Sequence, residues 1–317
     1  MITEKETINM VTTIIGVDVG NGLTKTVNSD FISSVKDYGD TKPAIMDRTV
    51  MYNGRYYTVG GRRSKTKTDQ KEDITAFILA LAGIGEELKS RSYTEQNEVI
   101  DVVLSEGLPL ERCIEENRIE DERYYKKGET FYFEYENVPY NIHIADVIVS
   151  PQCLSGAVDL INDNTLPPIC LLIDVGSWTV DILPVIEGKP VGSESRSLLN
   201  GVINCMLECN EEVRRRTGKE ILEEQIQQIM RGKTGVLPPK YEQIVSNKIR
   251  EYVKNLADTL TENSYNVDTT PCIFMGGGAT VVRNFGKELF PLAKYILDIR
   301  ANAVGYEKIA MARMGVN

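Results

Sequence analysis

Two short stretches, about half a chain apart, set out chemistry-bearing residues in the same order. Asp18-Val19-Gly20-Asn21-Gly22-Leu23-Thr24-Lys25 and Asp174-Val175-Gly176-Ser177-Trp178-Thr179-Val180-Asp181 each follow an apolar run of strand type. Glycine lets a backbone approach an anion closely, and successive turn amides form a nest that donates to phosphate oxygens. Each turn is therefore suited to hold part of a polyphosphate. The repeat is asymmetric, since Lys25 in the first copy is matched by Asp181 in the second. Lys25 would neutralise phosphate charge. Asp18 and Asp174 would be repelled by phosphate, but hard carboxylates suit Mg²⁺, commonly through its retained waters, so their expected role is to position that metal.

The elements that must carry these turns are legible around them. Ile14 to Val19 reads as a buried strand, and Lys25-Thr26-Val27 resumes an extended pattern, which makes a hairpin with a polar tip. Ile169 to Val175 repeats that strand directly after Pro167-Pro168, which marks a domain boundary. Asn53-Gly54 lies between Thr49-Val50-Met51-Tyr52 and Arg55-Tyr56-Tyr57-Thr58-Val59, a type I′ hairpin signal inside a small subdomain over 31–72. Asp73 is placed to cap a buried helix from Ile74. A strand over 98–104, alternating strands over 129–150, and a helical turn over 156–161 complete the first half. Helices are expected over 199–231, broken near Thr217-Gly218, over 241–260, and over 302–315, with a short strand at 271–275 running into Gly276-Gly277-Gly278-Ala279.

Composition narrows the function classes. The 317 residues are 42% hydrophobic, enough for more than one core, and two domains are expected. A net charge of −10 disfavours direct binding to a nucleic-acid backbone, which needs a basic surface. No apolar run approaches the roughly 18 residues of a spanning helix, and the chain reads as cytoplasmic with no membrane partner. The six cysteines contain no C-x-x-C pair and read as reduced structural thiols. The single histidine, His143, would have to serve any Ser-His-Asp or Cys-His mechanism, and its place in the alternating run 140–144 reads instead as a strand residue facing solvent.

The two aspartate loops, with their order and spacing, resemble the two phosphate loops of the actin, Hsp70 and sugar-kinase superfamily. Gly276, Gly277, Gly278 and Ala279 resemble that family's adenosine loop, and Ala301 to Tyr306 its second connection between domains. The likeness spans roughly residues 13 to 315. Within the superfamily, Leu104 to Leu110, a charged helix, and Val147 to Gly156 are similar to the central segment of ParM-like bacterial plasmid-segregation actins.

The resemblance implies an α/β fold of two actin-like, ribonuclease H-like domains with a nucleotide cleft between them and small inserted subdomains. Domain I would cover 13–160, with a small subdomain about 31–90, and be completed by a C-terminal helix over 302–317. Domain II would cover 168–301, with a helical subdomain about 205–265. The nucleotide would be ATP, with GTP the alternative, together with Mg²⁺. Cofactor-binding positions would be Asp18, Gly20, Asn21, Gly22, Leu23, Thr24 and Lys25 in the first loop, Gly176, Ser177, Trp178 and Thr179 in the second, and Gly201 beyond it. Asp174 and Gln152 would be catalytic, Gln152 standing where the family orients the attacking water, although many ParM-like chains carry glutamate there. Glu224 and Gln227 lie in a segment resembling the adenosine-contacting helix, and a solvated helix face explains them equally.

The resemblance further implies an ATPase that forms head-to-tail filaments with itself and moves plasmid DNA through a DNA-binding adaptor. Two alternatives stand beside it: a small-molecule kinase of the same superfamily, and a non-filamentous assembly or chaperone-like protein switched by nucleotide.

Overall fold

The computed structural model describes residues 11–61, 74–93, 99–109, 112–126 and 130–316. In chain order the first part runs β1 (Val11–Val19), β2 (Leu23–Thr26), β3 (Asp30–Ile32), β4 (Val35–Asp37), β5 (Thr49–Tyr52), β6 (Arg55–Val59), α1 (Thr75–Ser90), β7 (Val99–Leu108), α2 (Glu115–Tyr125), β8 (Phe131–Tyr135), β9 (Val138–Pro151) and α3 (Val158–Asn162). The rest runs β10 (Ile169–Val175), β11 (Val180–Ile186), β12 (Lys189–Pro190), β13 (Arg196–Leu198), α4 (Val202–Thr217), α5 (Glu223–Met230), α6 (Pro239–Glu262), β14 (Cys272–Met275), α7 (Ala279–Phe285), β15 (Lys294–Tyr295) and α8 (Ala301–Met314). These elements form two compact units, one holding the described residues to Leu108, 112–151 and those from Ala303, the other Pro109 and 152–302. One break follows Pro151, so residues 152–160, expected with the first domain, group with the second unit. The last break falls inside α8, after Asn302.

The first unit is built on a nine-stranded sheet in the order β3-β2-β1-β7-β9-β8-β5-β6-β4. β1, β7 and β9 are parallel, and β2 returns antiparallel on β1 with Asp18 opposite Lys25. The small strands expected as a subdomain extend this sheet through the β5–β8 pairing. The tip between β5 and β6 has positive φ at both Asn53 (50°) and Gly54 (73°), the backbone a type I′ turn requires. Asp73, expected to cap α1, lies outside the described residues, as do the ends of the strand and loop expected at Glu98 and Leu110. The described helix begins after Ile74, which offers no side-chain cap.

Period-two alternation decides what covers each face of β1. Ile15 and Val17 enter a core with α1, while Ile14 packs with Val103, Ile148 and Ala310 of α8. Asp18 shares the parity of Ile14 and Gly16. At Gly16 a Cβ would come within 2.2 Å of the Ala303 carbonyl oxygen, so α8 lies directly on the strand.

A buried ionic network fastens that helix. Arg91 donates to Glu307 at 2.7 Å, to Glu87 and to the Ile14 carbonyl, and Glu307 accepts from the Gly16 amide at 3.1 Å. Glu87 also takes the backbone amide and side-chain amide of Asn28, both at 2.8 Å. Burial pushes its pKa up, but hydrogen bonds from Thr26 and Asn28 and the charge of Arg91 outweigh that and hold the carboxyl below its ordinary value.

His143 does not simply face solvent. It is half-buried on β9, opposite Asp101 of β7, with Nδ1 2.8 Å from an Asp101 carboxylate oxygen. The neighbouring parallel strand supplies a partner that alternation along one strand could not reveal.

The second unit has the sheet order β12-β11-β10-β14-β15, with β13 also on β11. β10 and β11 pair antiparallel with Asp174 opposite Asp181, the same register position that Asp18 and Lys25 occupy in the first unit. Leu171, Ile173 and Val175 face a core formed with α4 to α7, and Cys170 and Leu172 face Cys153 and Ala157. Asp174 shares the parity of the latter pair and belongs to their face. All six cysteines are free thiols, and Cys205 is held protonated first by its hydrogen bond with Cys209 and then by burial. Among the described residues no helix is long and apolar enough to cross a membrane, and no cluster of histidine, cysteine and carboxylates is built to hold a metal by itself.

Candidate functional site

The first loop is a tight β1–β2 hairpin whose parts are satisfied internally. Asp18 is 3% exposed, and its carboxylate takes the Lys25 ammonium at 2.7 Å. The Gly20 amide donates to the Asp18 carbonyl at 3.0 Å, and a Cβ on Gly20 would lie 2.8 Å from the Leu23 carbonyl oxygen. Ser33, just after β3, braces the turn, donating its hydroxyl to the Gly20 carbonyl and its amide to that of Gly22. Thr24 is fully buried, and its hydroxyl is shared with Ser33 at 2.9 Å, so its side chain supports the turn. Leu23 lies half-buried in β2, and Asn21 is exposed at the tip.

The second loop is held by different chemistry. The Gly176, Ser177 and Trp178 carbonyls accept from the amides of Val202, Ile203 and Gly201, which docks the start of α4 onto the loop. Those amides are the donors a helix N-terminus leaves unsatisfied, so the loop itself caps α4. Gly201 permits this approach, because a Cβ there would come within 2.4 Å of the Ser177 carbonyl oxygen. Thr179 donates its hydroxyl to Asp181 at 3.0 Å, and Trp178 is half-buried against the apolar core.

The triple glycine belongs to the same cluster. β14 runs parallel to β10 with Met275 beside Asp174, which delivers Gly276 to the aspartate. Gly276 has φ +77°, and a Cβ on it would stand 2.1 Å from Asp174 Oδ1. Any side chain there would be both strained and in the carboxylate's place. The Gly278 amide donates to the Val175 carbonyl at 2.8 Å, Gly277 meets nothing nearby, and Ala279 is buried at the start of α7.

Gln152 opens the turn after β9 and is half-buried. Its carbonyl accepts from the Leu154 amide, and Cys153 between them has φ +63°, a conformation that L residues hold only when surroundings impose it. The Cys153 thiol lies 3.6 Å from the Asp181 carbonyl. Burial pushes its pKa up, and the charges of Asp174 and Asp181 push the same way, so it remains a protonated donor. This anchors the Gln152 turn to the strand pair carrying Asp174. The structure thus gathers Gln152, Asp174, Gly176 to Thr179, Gly201 and Gly276 to Ala279 in one unit, and Asp18 to Lys25 in the other. Glu224 and Gln227 lie on α5, Glu224 exposed and Gln227 donating to Glu223 at 3.0 Å.

Two contributors escape the sequence motifs. Cys153 gave no signal beyond adjacency to Gln152. Asn302 was visible only as part of a small-residue helix, yet its side-chain amide donates to Asp174 Oδ2 at 2.6 Å. A polar residue between Ala301 and Ala303 was the available hint.

Within the second unit, Asp174 is a hard oxygen donor of the kind Mg²⁺ takes, and the Asn302 amide fixes its direction without cancelling its charge.

Comparison with known proteins agrees with this architecture. Residues 16–154 match the family of actin-like proteins, N-terminal domain, and residues 172–288 match archaeal actin homologue MreB-like, C-terminal. No curated protein matches the chain. Among solved structures, Ta0583, an archaeal actin homologue in complex with ADP, is 22% identical with TM-score 0.70 over 96% of this chain and 100% of its own. The apo pSK41 ParM protein is 16% identical with TM-score 0.70 over 96% and 98%, and the Alp12 filament structure 14% identical with TM-score 0.67 over 96% and 100%. At these identities the likeness is one of fold.

Proposed function

We propose, from the matches of residues 16–154 and 172–288 to actin-like family models, that the chain is an ATPase that assembles head-to-tail into nucleotide-dependent filaments. The observation that carries this reading is the repeated hairpin with a buried aspartate at the same register position, opposite Lys25 in one unit and opposite Asp181 in the other. ADP bound to Ta0583 supports an adenine nucleotide, and the Alp12 filament supports self-association.

In this reading the two loops receive the phosphates through their turn amides. Lys25 exchanges its bond with Asp18 for one with a phosphate oxygen, which exposes charge on Asp18. Asp18 in its unit and Asp174 in the other are each candidates to hold Mg²⁺ through its waters, and the metal would neutralise charge on the phosphates. Gln152 cannot serve as a strong base, but from its anchored turn it can hold a water for attack on the terminal phosphate, with loop amides stabilising the charge that develops. A heterologous contact between copies grows without closing into a ring. With a net charge of −10, coupling to plasmid DNA would run through a basic adaptor.

The test is to incubate the purified protein with Mg²⁺ and ATP, or a slowly hydrolysed analogue, and follow light scattering and pelleting. A nucleotide-dependent polymer is expected. A protein that stays monomeric at high concentration with either nucleotide would remove the filament and leave the nucleotide site standing.

A further inference from the structure

We propose that Asn302 is the positioning residue for Asp174, fixing the carboxylate in the orientation that its role toward Mg²⁺ requires. The inference rests on the nucleotide reading above and adds a residue to that site. Three observations carry it.

The first is the bond itself. Asn302 is 6% exposed and Asp174 7%, and their contact of 2.6 Å joins a neutral donor to a carboxylate across 128 positions of sequence. Charge-assisted bonds of this length are directional, so they set the rotation of the acceptor as well as its place. Only the NH₂ of a carboxamide can serve a carboxylate, which fixes the Asn302 orientation chemically.

The second is what that orientation leaves behind. Asn302 Oδ1 is buried with no hydrogen-bond partner among the described residues. An unsatisfied buried oxygen is costly, and an apolar side chain of the same shape would avoid it. The side chain is therefore kept for its donor rather than as filler.

The third is that two separate segments make room for the pair. A Cβ on Gly156 would stand 2.8 Å from Asn302 Oδ1 and 2.7 Å from the Met275 sulfur, and a Cβ on Gly276 would stand 2.1 Å from Asp174 Oδ1. Gly276 thus walls one carboxylate oxygen while Asn302 holds the other. Without the amide, Asp174 keeps its charge but loses the donor that directs Oδ2.

The consequence separates metal coupling from nucleotide binding. Trp178 is the single tryptophan of the chain and stands in the second loop, so its fluorescence reports occupancy directly. ATP is titrated against the full chain with and without Mg²⁺ for the unaltered protein and for Asn302→Leu and Asn302→Asp. Melting temperature is recorded for each.

In the unaltered protein Mg²⁺ should tighten ATP binding. In Asn302→Leu the Mg²⁺-free affinity should stay within about threefold, while the Mg²⁺-dependent gain falls about tenfold, with kcat reduced more than KM changes. Asn302→Asp, which adds a second negative charge beside the first, should lower the gain further. Gly156→Ala, which touches neither partner chemically but crowds Asn302, should lower it in the same direction, and it decides the matter if Asn302→Leu fails to fold. An unchanged Mg²⁺ gain and kcat in these variants would overturn the positioning role while leaving the nucleotide site intact. Absence of any ATP response in the unaltered protein would overturn the nucleotide reading and this inference with it.

Discussion

The two hairpin loops occupy equivalent places in their sheets yet solve the burial of an aspartate in opposite ways. Asp18 is neutralised by a cation from the facing strand at 2.7 Å, so the first loop is electrostatically closed. Asp174 faces another carboxylate across its hairpin and is oriented by a neutral amide from α8. A cation placed beside a carboxylate cancels its charge, whereas an amide directs it and leaves the charge for use. Under the proposed function, the difference would suit the first loop to deliver Lys25 to phosphate and the second to organise a hard cation. The contrast extends to the surroundings, since the first unit also buries Glu87 between Arg91 and Asn28.

The largest effect should come from the second loop. Asp174→Ala removes the directed charge, and kcat for ATP hydrolysis should fall about 10²- to 10³-fold, the range seen when a single charge-stabilising group is lost. Steady-state phosphate release reads this, and turnover within twofold of the unaltered protein would break the assignment.

The first loop should respond in stability as well as binding. Lys25→Met leaves Asp18 buried without its cation, and should cost about 3 kcal/mol in the nucleotide-free protein. Urea unfolding measures this. A cost below about 0.5 kcal/mol would mean that the Lys25 bond contributes no more than a surface pair.

The ionic network of the first unit should appear as acid sensitivity. Because the Glu87 pKa is depressed in the folded state, its contribution is present above its ordinary value of 4.5 and is lost as pH falls through the folded value. Glu87→Gln should therefore destabilise by about 2 kcal/mol at pH 7, with the difference shrinking below about pH 4.5. Thermal melts across pH 3 to 7 test it, and a difference independent of pH would show that packing rather than charge is lost. The smallest effect is expected at Gln227→Ala, half-buried on α5 and bonded to Glu223, where ATP affinity should change by no more than about threefold.

Much of this was legible in the chain because it is local. The strand, glycine turn and returning strand of each loop lie within a dozen residues, and Asn53-Gly54 specifies its own turn. Parity along β10 even places Asp174 with Cys170 and Leu172. What parity could not supply is the occupant of that face. Asn302 lies 128 residues from Asp174, and Glu307 lies 291 from the Gly16 amide it accepts from, so these bonds exist only once the sheets are covered. The same reason explains His143, whose partner Asp101 is on another strand, and Thr24, whose hydroxyl is shared with Ser33 just after β3. Residues 152–160 group with the second unit through the Cys153 thiol and the Ala157 methyl, contacts with no periodic signature in the sequence.

The most direct test of the central claim is to measure phosphate release and pelleted protein in the same sample, with Mg²⁺ and ATP against Mg²⁺ and ADP. Phosphate release with ATP, together with a pellet that forms with ATP and not with ADP, is the predicted result. No phosphate release above buffer, with pelleting indifferent to nucleotide, would contradict it.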